Sequence, residues 1–272
     1  MLTDHVEYRV HYLENIMHPM LNIAIRAARS AGDSIVREID RVGDLSIDIK
    51  GKNDFVTEVD RNAEHIIIET IKDAYPDHAF LGEESGKSGE SEYLWIIDPL
   101  DGTTNFLHGI PHFAVSIALQ YRDRLDQAVV YDPAKQELFT ASKGKGAQLN
   151  NKKIRVSTQK TLNSALLATG FPFGDNPDVE AFIESFRALY PKISGIRRAG
   201  VASLDLAYVA CGRLDGFWEF GLKPWDIAAG ALLTQEAGGI NSEISGGLDF
   251  LESGNIVSAN PKLLKAIFKH LN

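Results

Sequence analysis

The sequence predicts an α+β lobe followed by an α/β lobe. Alternating apolar segments separated by turn residues fill positions 115–150, a pattern typical of antiparallel strands. From position 165 onward, short apolar runs alternate with helical patterns, which favours an α/β arrangement. The chain has 272 residues, 44% of them hydrophobic, which is enough for one large domain or two modest ones. We therefore predict one lobe over 17–150 and a second over 151–272.

The first patterned segment begins at Met17. Residues 1–16 mix charged, histidine and tyrosine residues with little period, so we interpret them as an extension outside the core. A helix is predicted next, because its apolar residues form one stripe at helical spacing: Leu21, Ala24, Ile25, Ala28, Ala31, Ile35, Val36 and Ile39.

The remaining elements follow from the same patterns. In the first lobe a helix is expected after Asp60, with strands at 79–82, 95–97, 115–121, 127–131, 137–142 and 147–149. In the second lobe strands are expected at 165–169, 216–220 and 255–259, with helices near 178–190, 202–211 and 225–237 and a last one from Pro261.

Composition excludes several functional classes. A net charge of −9 argues against a nucleic-acid binder or a protein held to an anionic membrane by electrostatics. The single cysteine, Cys211, rules out a disulfide framework or a thiolate metal site. No apolar run is long enough to span a bilayer and no signal-peptide pattern opens the chain, so we expect a cytoplasmic protein.

The stretch from Trp95 to Asn105 carries the strongest chemical signal. Its apolar start indicates a buried strand, which we expect to stop and turn at Pro99 because proline has no N–H to donate. The turn would bring the carboxylates of Asp98 and Asp101 to one side, together with the Leu100 carbonyl. These are the hard oxygen ligands that Mg²⁺, Mn²⁺ or Ca²⁺ takes.

A helix is predicted to begin just after these acids. Gly102 lets the backbone approach a ligand closely, and Thr103 and Thr104 are good N-cap residues. The free N–H groups of such a helix start would favour a phosphate. A solvated Asp-Pro turn explains the same residues without any ligand, so the motif alone leaves both interpretations open.

Other candidate residues are weak signals singly. Asp60 follows a basic, glycine-containing loop at Lys50–Asn53 that we expect to be mobile, and it is most simply a helix cap. Glu83 follows a short strand, and Glu219 lies in another. Asp226 begins a helix, which is ordinary for an acid there. Further basic charge, from Arg197 and its neighbours, precedes the helix that begins at Ala202.

Three segments together resemble the inositol monophosphatase family: Gly82 to Ser85, Trp95 to Thr104, and Trp225 to Gly230. They occur in the family's order and at fitting separations, and the likeness runs from about Met17 to the end. It looks closest to the bacterial extragenic-suppressor branch. The resemblance implies a layered αβαβα sandwich of the inositol monophosphatase and sugar phosphatase type.

The resemblance also implies a Mg²⁺-dependent phosphomonoesterase that hydrolyses inositol monophosphate, namely myo-inositol 1-phosphate, without a phosphoenzyme. The first metal would be held by Glu83, Asp98 and the Leu100 carbonyl. A second would be shared by Asp98, Asp101 and Asp226. Two or three Mg²⁺ per site are implied, with Mn²⁺ as a possible substitute and with Ca²⁺ and Li⁺ as inhibitors.

The remaining roles concern the water and the substrate. By resemblance the catalytic residues are Glu83, Thr103 and Asp60, with Asp60 pairing with the Thr103 hydroxyl to orient the attacking water. Substrate contacts are implied for Asp101, Gly102, Thr103, Ala202 and Glu219, with Arg197 a candidate for a second phosphate. Lys50 matches the family's loop residue only after a one-residue gap. No Ser, Cys or His nucleophile stands in a recognisable setting, which favours direct hydrolysis.

Two alternatives stay open at this point. The same chemistry could act on fructose 1,6-bisphosphate, a nucleotide 3′-phosphate or histidinol phosphate. Alternatively, the protein could be a partner of the transcription antitermination machinery with secondary phosphatase activity, since this branch is associated with that machinery. The resemblance further implies a homodimer and a small phosphorylated polyol as substrate.

Overall fold

The computed structural model describes residues 17–39, 41, 47–51, 54–172 and 178–271, with backbone alone for 47–51 and 54–57. The predicted extension at 1–16, and Lys52 and Asn53 of the predicted mobile loop, lie outside the described residues.

Eight α-helices occur within these ranges. They are α1 (Pro19–Glu38), α2 (Glu58–Lys72), α3 (Thr103–Leu107), α4 (Val179–Leu189), α5 (Ala202–Ala210), α6 (Pro224–Glu236), α7 (Phe250–Ser253) and α8 (Pro261–Leu271). A 3₁₀ turn, Tyr190–Lys192, follows α4.

The described chain also forms fifteen strands. In the first half they are β1 (Ile47–Gly51), β2 (Asp54–Thr57), β3 (Ala79–Gly82), β4 (Gly86–Ser88), β5 (Tyr93–Asp101), β6 (Ala114–Tyr121), β7 (Arg124–Asp132), β8 (Glu137–Ser142), β9 (Gly146–Leu149) and β10 (Lys152–Lys153). In the second half they are β11 (Leu166–Thr169), β12 (Gly195–Arg197), β13 (Gly216–Glu219), β14 (Ile240–Ser242) and β15 (Ile256–Ala259).

Two larger sheets organise these strands. The eight-stranded sheet has the order β10-β9-β8-β7-β6-β5-β3-β4, and β3 and β5 are its parallel pair. The five-stranded sheet has the order β12-β11-β13-β15-β14, with β11 parallel to both of its neighbours. Strands β1 and β2 form a separate antiparallel pair.

Four buried clusters stack the helices and sheets into five layers. Helices α1 and α2 cover one face of the eight-stranded sheet, through a core that includes Ile35, Ile67, Trp95 and Ile117. Helices α5 and α6 fill the space between the sheets, and because both faces are covered they are rich in alanine and leucine. Helices α4 and α8 cover the far face of the five-stranded sheet. The layered αβαβα sandwich is thereby confirmed.

Most predicted elements occur where the patterns placed them. The amphipathic stripe of α1 buries Leu21, Ala24 and Ile35, although Val36 is 38% exposed because it lies at the edge of the stripe. The antiparallel strands β6 to β9 follow the predicted segments closely. The division into lobes at residue 150 stays a prediction.

The predicted loop Lys50–Asn53 is wrong in its first half. Lys50 and Gly51 belong to strand β1, which pairs with β2, while the other two residues lie outside the described chain. None of the described helices is both long and apolar enough to cross a membrane.

Candidate active site

The site is organised by the carboxyl end of β5. The prediction that the strand stops at Pro99 is wrong, because the strand continues to Asp101. Asp98 pairs with Ser116 and Asp101 with Ala114, so one extra residue is accommodated as a bulge. A residue in a bulge does not have to donate its N–H to the neighbouring strand, so proline is tolerated there. The Asp98 side chain accepts a hydrogen bond from the Leu100 N–H at 3.0 Å and so holds the bulge.

The short helix α3 begins differently from the prediction. Its N-cap is Gly102, with a φ of 99° and no side-chain cap, rather than a threonine. A Cβ atom at this position would lie 2.9 Å from Cγ2 of Val201, so the close packing also requires glycine. Since Thr103 is not needed as a cap, its hydroxyl is available to other partners.

The Thr103 hydroxyl joins α3 to α2. It lies 3.0 Å from a carboxylate oxygen of Asp60 and 3.1 Å from the Leu100 carbonyl. A hydroxyl has a single hydrogen and donates to one of these acceptors at a time. Asp60, in the first turn of α2, is 1% exposed. This pairing is the contact that the resemblance implied; its catalytic role stays a prediction.

Four carboxylates converge on the end of β5. Asp98 is 2% exposed. Its pKa is raised well above the usual range, first by burial and then by the negative charges of Glu83, Asp101 and Asp226. Glu83 is held beside β5 because its N–H donates to the Ile97 carbonyl at 3.1 Å. The fold thus brings together four of the acids that the sequence singled out.

Asp101 links the two larger sheets through α5. Burial raises its pKa to about 6, opposed by hydrogen bonds from the backbone of Ser203 and Ala202. The Ser203 N–H donates to Asp101 at 2.8 Å, so the start of α5 sits against the end of β5. Ala202, predicted to face the substrate, therefore lies at the site.

Two of the predicted acids, Asp226 and Glu219, come from the second half of the chain. Asp226 lies in the first turn of α6 and accepts the Lys223 N–H at 2.7 Å. Glu219 ends β13 and is 5% exposed. Its pKa is raised well above the usual range by burial and then by Asp205 and Asp226, while Arg198 opposes the shift.

These acids have the chemistry of a hard-cation site. All the donors are carboxylate or carbonyl oxygens, and buried carboxylates of one charge sign favour a compensating cation. Within the part of the chain that the structure describes, no group of three or more His, Cys, Asp or Glu side chains is arranged so that it could hold a metal ion as it stands. Asp98 is buried, and the neighbouring carboxylates raise its pKa through their negative charges. A divalent cation would neutralise this charge, so the residues fit such an ion.

Two further predicted residues, Lys50 and Arg197, lie in strands β1 and β12. Lys50 lies in β1, where only the backbone is described. Arg197 ends the edge strand β12, is exposed, and donates to the Ile196 carbonyl at 3.1 Å. The arginine whose charge reaches Glu219 is its neighbour Arg198, which also lies over the Phe171 ring.

Sequence reasoning missed several residues that support the site. Glu64 accepts the backbone N–H groups of Glu84 and Ser85, next to Glu83. Its spacing of four residues from Asp60 on a helix is a signal that could have found it.

Asn105 is a second residue that was missed. It donates to the carbonyls of His112 and Ala199, both at 2.9 Å, and so ties α3 to the segment before α5. Asp205, 2% exposed, adds charge beside Glu219.

The αβαβα sandwich with its buried carboxylates is of the layered-sandwich phosphatase class, to which a solved inositol monophosphatase of similar fold belongs. Residues 16–272 match the sequence profile of the inositol monophosphatase family, and the chain belongs to that family. Metal dependence is general in this family, whose members are phosphatases.

Relatives cover nearly the whole chain. The Nus factor SuhB of Pseudomonas aeruginosa is 59% identical over 257 residues, covering 92% of this chain and 95% of that protein. The crystal structure of extragenic suppressor protein suhB from Bartonella henselae aligns with a TM-score of 0.91 at 44% identity, over 94% of this chain and 99% of that one. The inositol monophosphatase from Anabaena (Nostoc) sp. PCC 7120 has a TM-score of 0.83 at 39% identity, over 92% and 94%.

Proposed function

We propose that this protein is a Mg²⁺-dependent phosphomonoesterase that hydrolyses myo-inositol 1-phosphate to inositol and phosphate. One observation supports this proposal most: Asp98 is buried among Glu83, Asp101 and Asp226, beside the hydrogen-bonded Thr103 and Asp60. Buried carboxylates that repel one another are costly, and such groups are found where a ligand compensates them.

Glu83, Asp98 and the Leu100 carbonyl would hold one metal ion, and Asp98, Asp101 and Asp226 a second. Bound divalent ions would supply Lewis-acid chemistry, lowering the pKa of water and neutralising phosphate charge. Mg²⁺ suits the all-oxygen donor set, and Mn²⁺ could replace it. Two or three ions per site are expected, with Ca²⁺ and Li⁺ acting as inhibitors.

The chain's own groups would orient the attacking water. When the Thr103 hydroxyl donates to Asp60, its oxygen lone pairs are left to accept a hydrogen bond from a water molecule. The same choice of acceptor leaves the Leu100 carbonyl oxygen available for a cation. Asp60 would thus act through Thr103, and both would place the water for in-line attack on phosphorus.

Phosphate and polyol would meet different parts of the site. Backbone N–H groups of Gly102 and Thr103 would donate to phosphate oxygens. Glu219 would bind substrate hydroxyls, with help from Asp101 and the Ala202 backbone. Arg197 would contact a second phosphate only in a bisphosphate substrate, and its exposed position on an edge strand favours a monophosphate.

A panel of phosphate esters tests this proposal. Phosphate release should be measured for myo-inositol 1-phosphate, fructose 1,6-bisphosphate, a nucleotide 3′-phosphate and histidinol phosphate, with Mg²⁺ and with a chelator. We expect the highest kcat/KM for the inositol ester and no turnover with the chelator. Turnover that persists without metal, or a clear preference for another ester, would overturn the metal assignment or the substrate assignment respectively.

A second candidate function rests on the names of the relatives. Proteins 50–59% identical to this chain are called Nus factor SuhB, so a role as a protein partner in transcription antitermination is the alternative we consider. An antitermination reporter complemented with Asp98→Asn separates the two functions. Full complementation by this variant would show a role independent of phosphatase activity, and loss of complementation with retained folding would tie the two together.

The assembly state is a separate expectation. We expect a homodimer, and light scattering on the purified full-length chain checks it. A mass near 29.9 kDa would show a monomer and would contradict the expectation.

A further inference from the structure

Glu64 is a buried acid that the proposed chemistry does not use. It lies on α2 one helical turn after Asp60 and is only 3% exposed. Its two carboxylate oxygens accept the N–H of Glu84 at 2.9 Å and the N–H of Ser85 at 2.8 Å. A buried carboxylate is well compensated by two backbone donors of this kind.

The turn held in this way is the one that carries Glu83. Gly82 precedes it, and a Cβ atom there would lie 2.6 Å from the Glu64 carboxyl carbon. A glycine is thus needed for the Glu64 carboxylate to approach the end of β3 so closely. On the other side, the N–H of Glu83 donates to the Ile97 carbonyl, immediately before Asp98.

The backbone of Glu83 is therefore fixed from both flanks. The N–H of Glu83 donates to strand β5, and the next two N–H groups along the chain donate to Glu64. Since Asp60 and Glu64 lie four residues apart on one helix, α2 sets both the Thr103 contact and the Glu83 turn.

We propose that Glu64 is a positioning residue for metal binding: it fixes the Glu83 carboxylate toward Asp98 by holding the backbone of the Glu84–Ser85 turn. This inference rests on the proposed function, because it assumes that Glu83 and Asp98 share a divalent ion. Partners that hold a metal ligand in place typically affect metal affinity about tenfold to a hundredfold.

The chain offers a matched control in Glu236. Its carboxylate also accepts two backbone N–H groups in a turn, from Gly144 at 2.9 Å and Gly146 at 2.8 Å. That turn joins β8 to β9 and contains none of the predicted site residues. Replacing either glutamate by glutamine exchanges one acceptor oxygen for a donor group, so both variants lose a similar backbone contact.

The experiment compares Mn²⁺ affinity and melting temperature for the full chain and for Glu64→Gln and Glu236→Gln. Calorimetric titration without substrate gives the Kd, and a melting scan gives the general cost of the lost hydrogen bond. We expect Glu64→Gln to raise the Kd for Mn²⁺ about tenfold to a hundredfold, and Glu236→Gln to leave it unchanged. Saturating Mn²⁺ should restore most of the kcat of Glu64→Gln, which a general structural defect would not allow.

Other results have distinct meanings. If the wild type binds Mn²⁺ and Glu64→Gln binds it equally well, the positioning role is wrong and the proposed function stands. If the wild type binds none, the proposed function falls and this inference with it. Should Glu64→Gln not fold, Glu64→Asp makes the same comparison, and failure of both to fold while Glu236→Gln folds would assign Glu64 to the fold alone.

Discussion

The two ends of β5 differ in chemistry: aromatic rings pack at its start, and carboxylates gather at its end. At its start, the His78 ring stacks between Tyr75 and Tyr93, with centroid distances of 4.8 and 4.5 Å. The Trp95 indole N–H, fully buried, donates to Nδ1 of His78 at 3.0 Å. Burial lowers the pKa of His78, which favours the neutral ring that can accept this hydrogen bond.

At its other end the same strand gathers charges of one sign. Asp98 and Asp101 have raised pKa values because burial disfavours their ionised forms, and for Asp98 the neighbouring acids add to the effect. The aromatic end stabilises the fold as it stands. The acidic end costs stability unless a cation compensates it. Stability and function are therefore separable along this strand, and changes at the two ends should have different consequences.

The largest effect is expected for Asp98→Asn at the acidic end. It removes a ligand that both metal ions would share, so kcat should fall by roughly three orders of magnitude or more. The melting temperature in a chelator should stay the same or rise, since a buried repelling acid is lost. Phosphate release and melting scans check both parts, and ordinary turnover by a folded variant would refute the shared-ligand assignment.

A change at the aromatic end should act on stability instead. Trp95→Phe removes the hydrogen bond to His78 and leaves a small cavity, so the free energy of unfolding should fall by about 2 kcal/mol. The kcat at saturating Mg²⁺ should not change. Denaturant unfolding gives the free energy of unfolding, and steady-state kinetics gives kcat. A large loss of kcat with unchanged stability would show that the aromatic end also serves catalysis.

Lithium should act only at the acidic end. Asp101 and Asp226 would share their metal with product phosphate, so we expect that ion to be the more weakly held. Li⁺ is close to Mg²⁺ in size but carries half the charge, and it could occupy this position after turnover. Inhibition should then be uncompetitive with substrate and amount to several-fold at millimolar Li⁺. Purely competitive inhibition, or none, would show that this second position is not labile.

The smallest effect concerns pH and metal together. The pKa of Asp101 is about 6 in the folded protein, above the ordinary value of 3.8. Its contribution to stability without metal is therefore greatest below pH 3.8 and is lost as pH rises through 6. Adding Mg²⁺ should raise the melting temperature by more degrees at pH 7.5 than at pH 5. An equal gain at both values would mean that these carboxylates do not bind the ion.

Much of this fold could be predicted because its strands alternate cleanly between apolar and polar residues. The antiparallel run from β6 to β9 and the helices of the second half follow from periodicity. Three short motifs contain Glu83, Asp98, Asp101 and Asp226. The short strands β12 and β14, three residues each, are too brief to show a period.

The features that escaped prediction depend on tertiary contact. The bulge at Pro99 is set by pairing with β6, and the cap at Gly102 by the approach of Val201. The role of Glu64 depends on the turn after β3 reaching α2, which no local pattern encodes. Lys50 and Gly51 suggested a loop because glycine and basic residues lie together there, yet both belong to β1, which pairs with β2.

Anomalous scattering from crystals grown with Mn²⁺ shows directly whether the acids at the end of β5 bind metal. We expect peaks within coordination distance of Asp98, with Glu83 beside one ion and Asp101 and Asp226 beside the other. The same crystals grown with a chelator should lose these peaks. If the protein hydrolyses inositol 1-phosphate but Mn²⁺ binds elsewhere, with no peak at the carboxyl end of β5, then these acids are not the metal ligands.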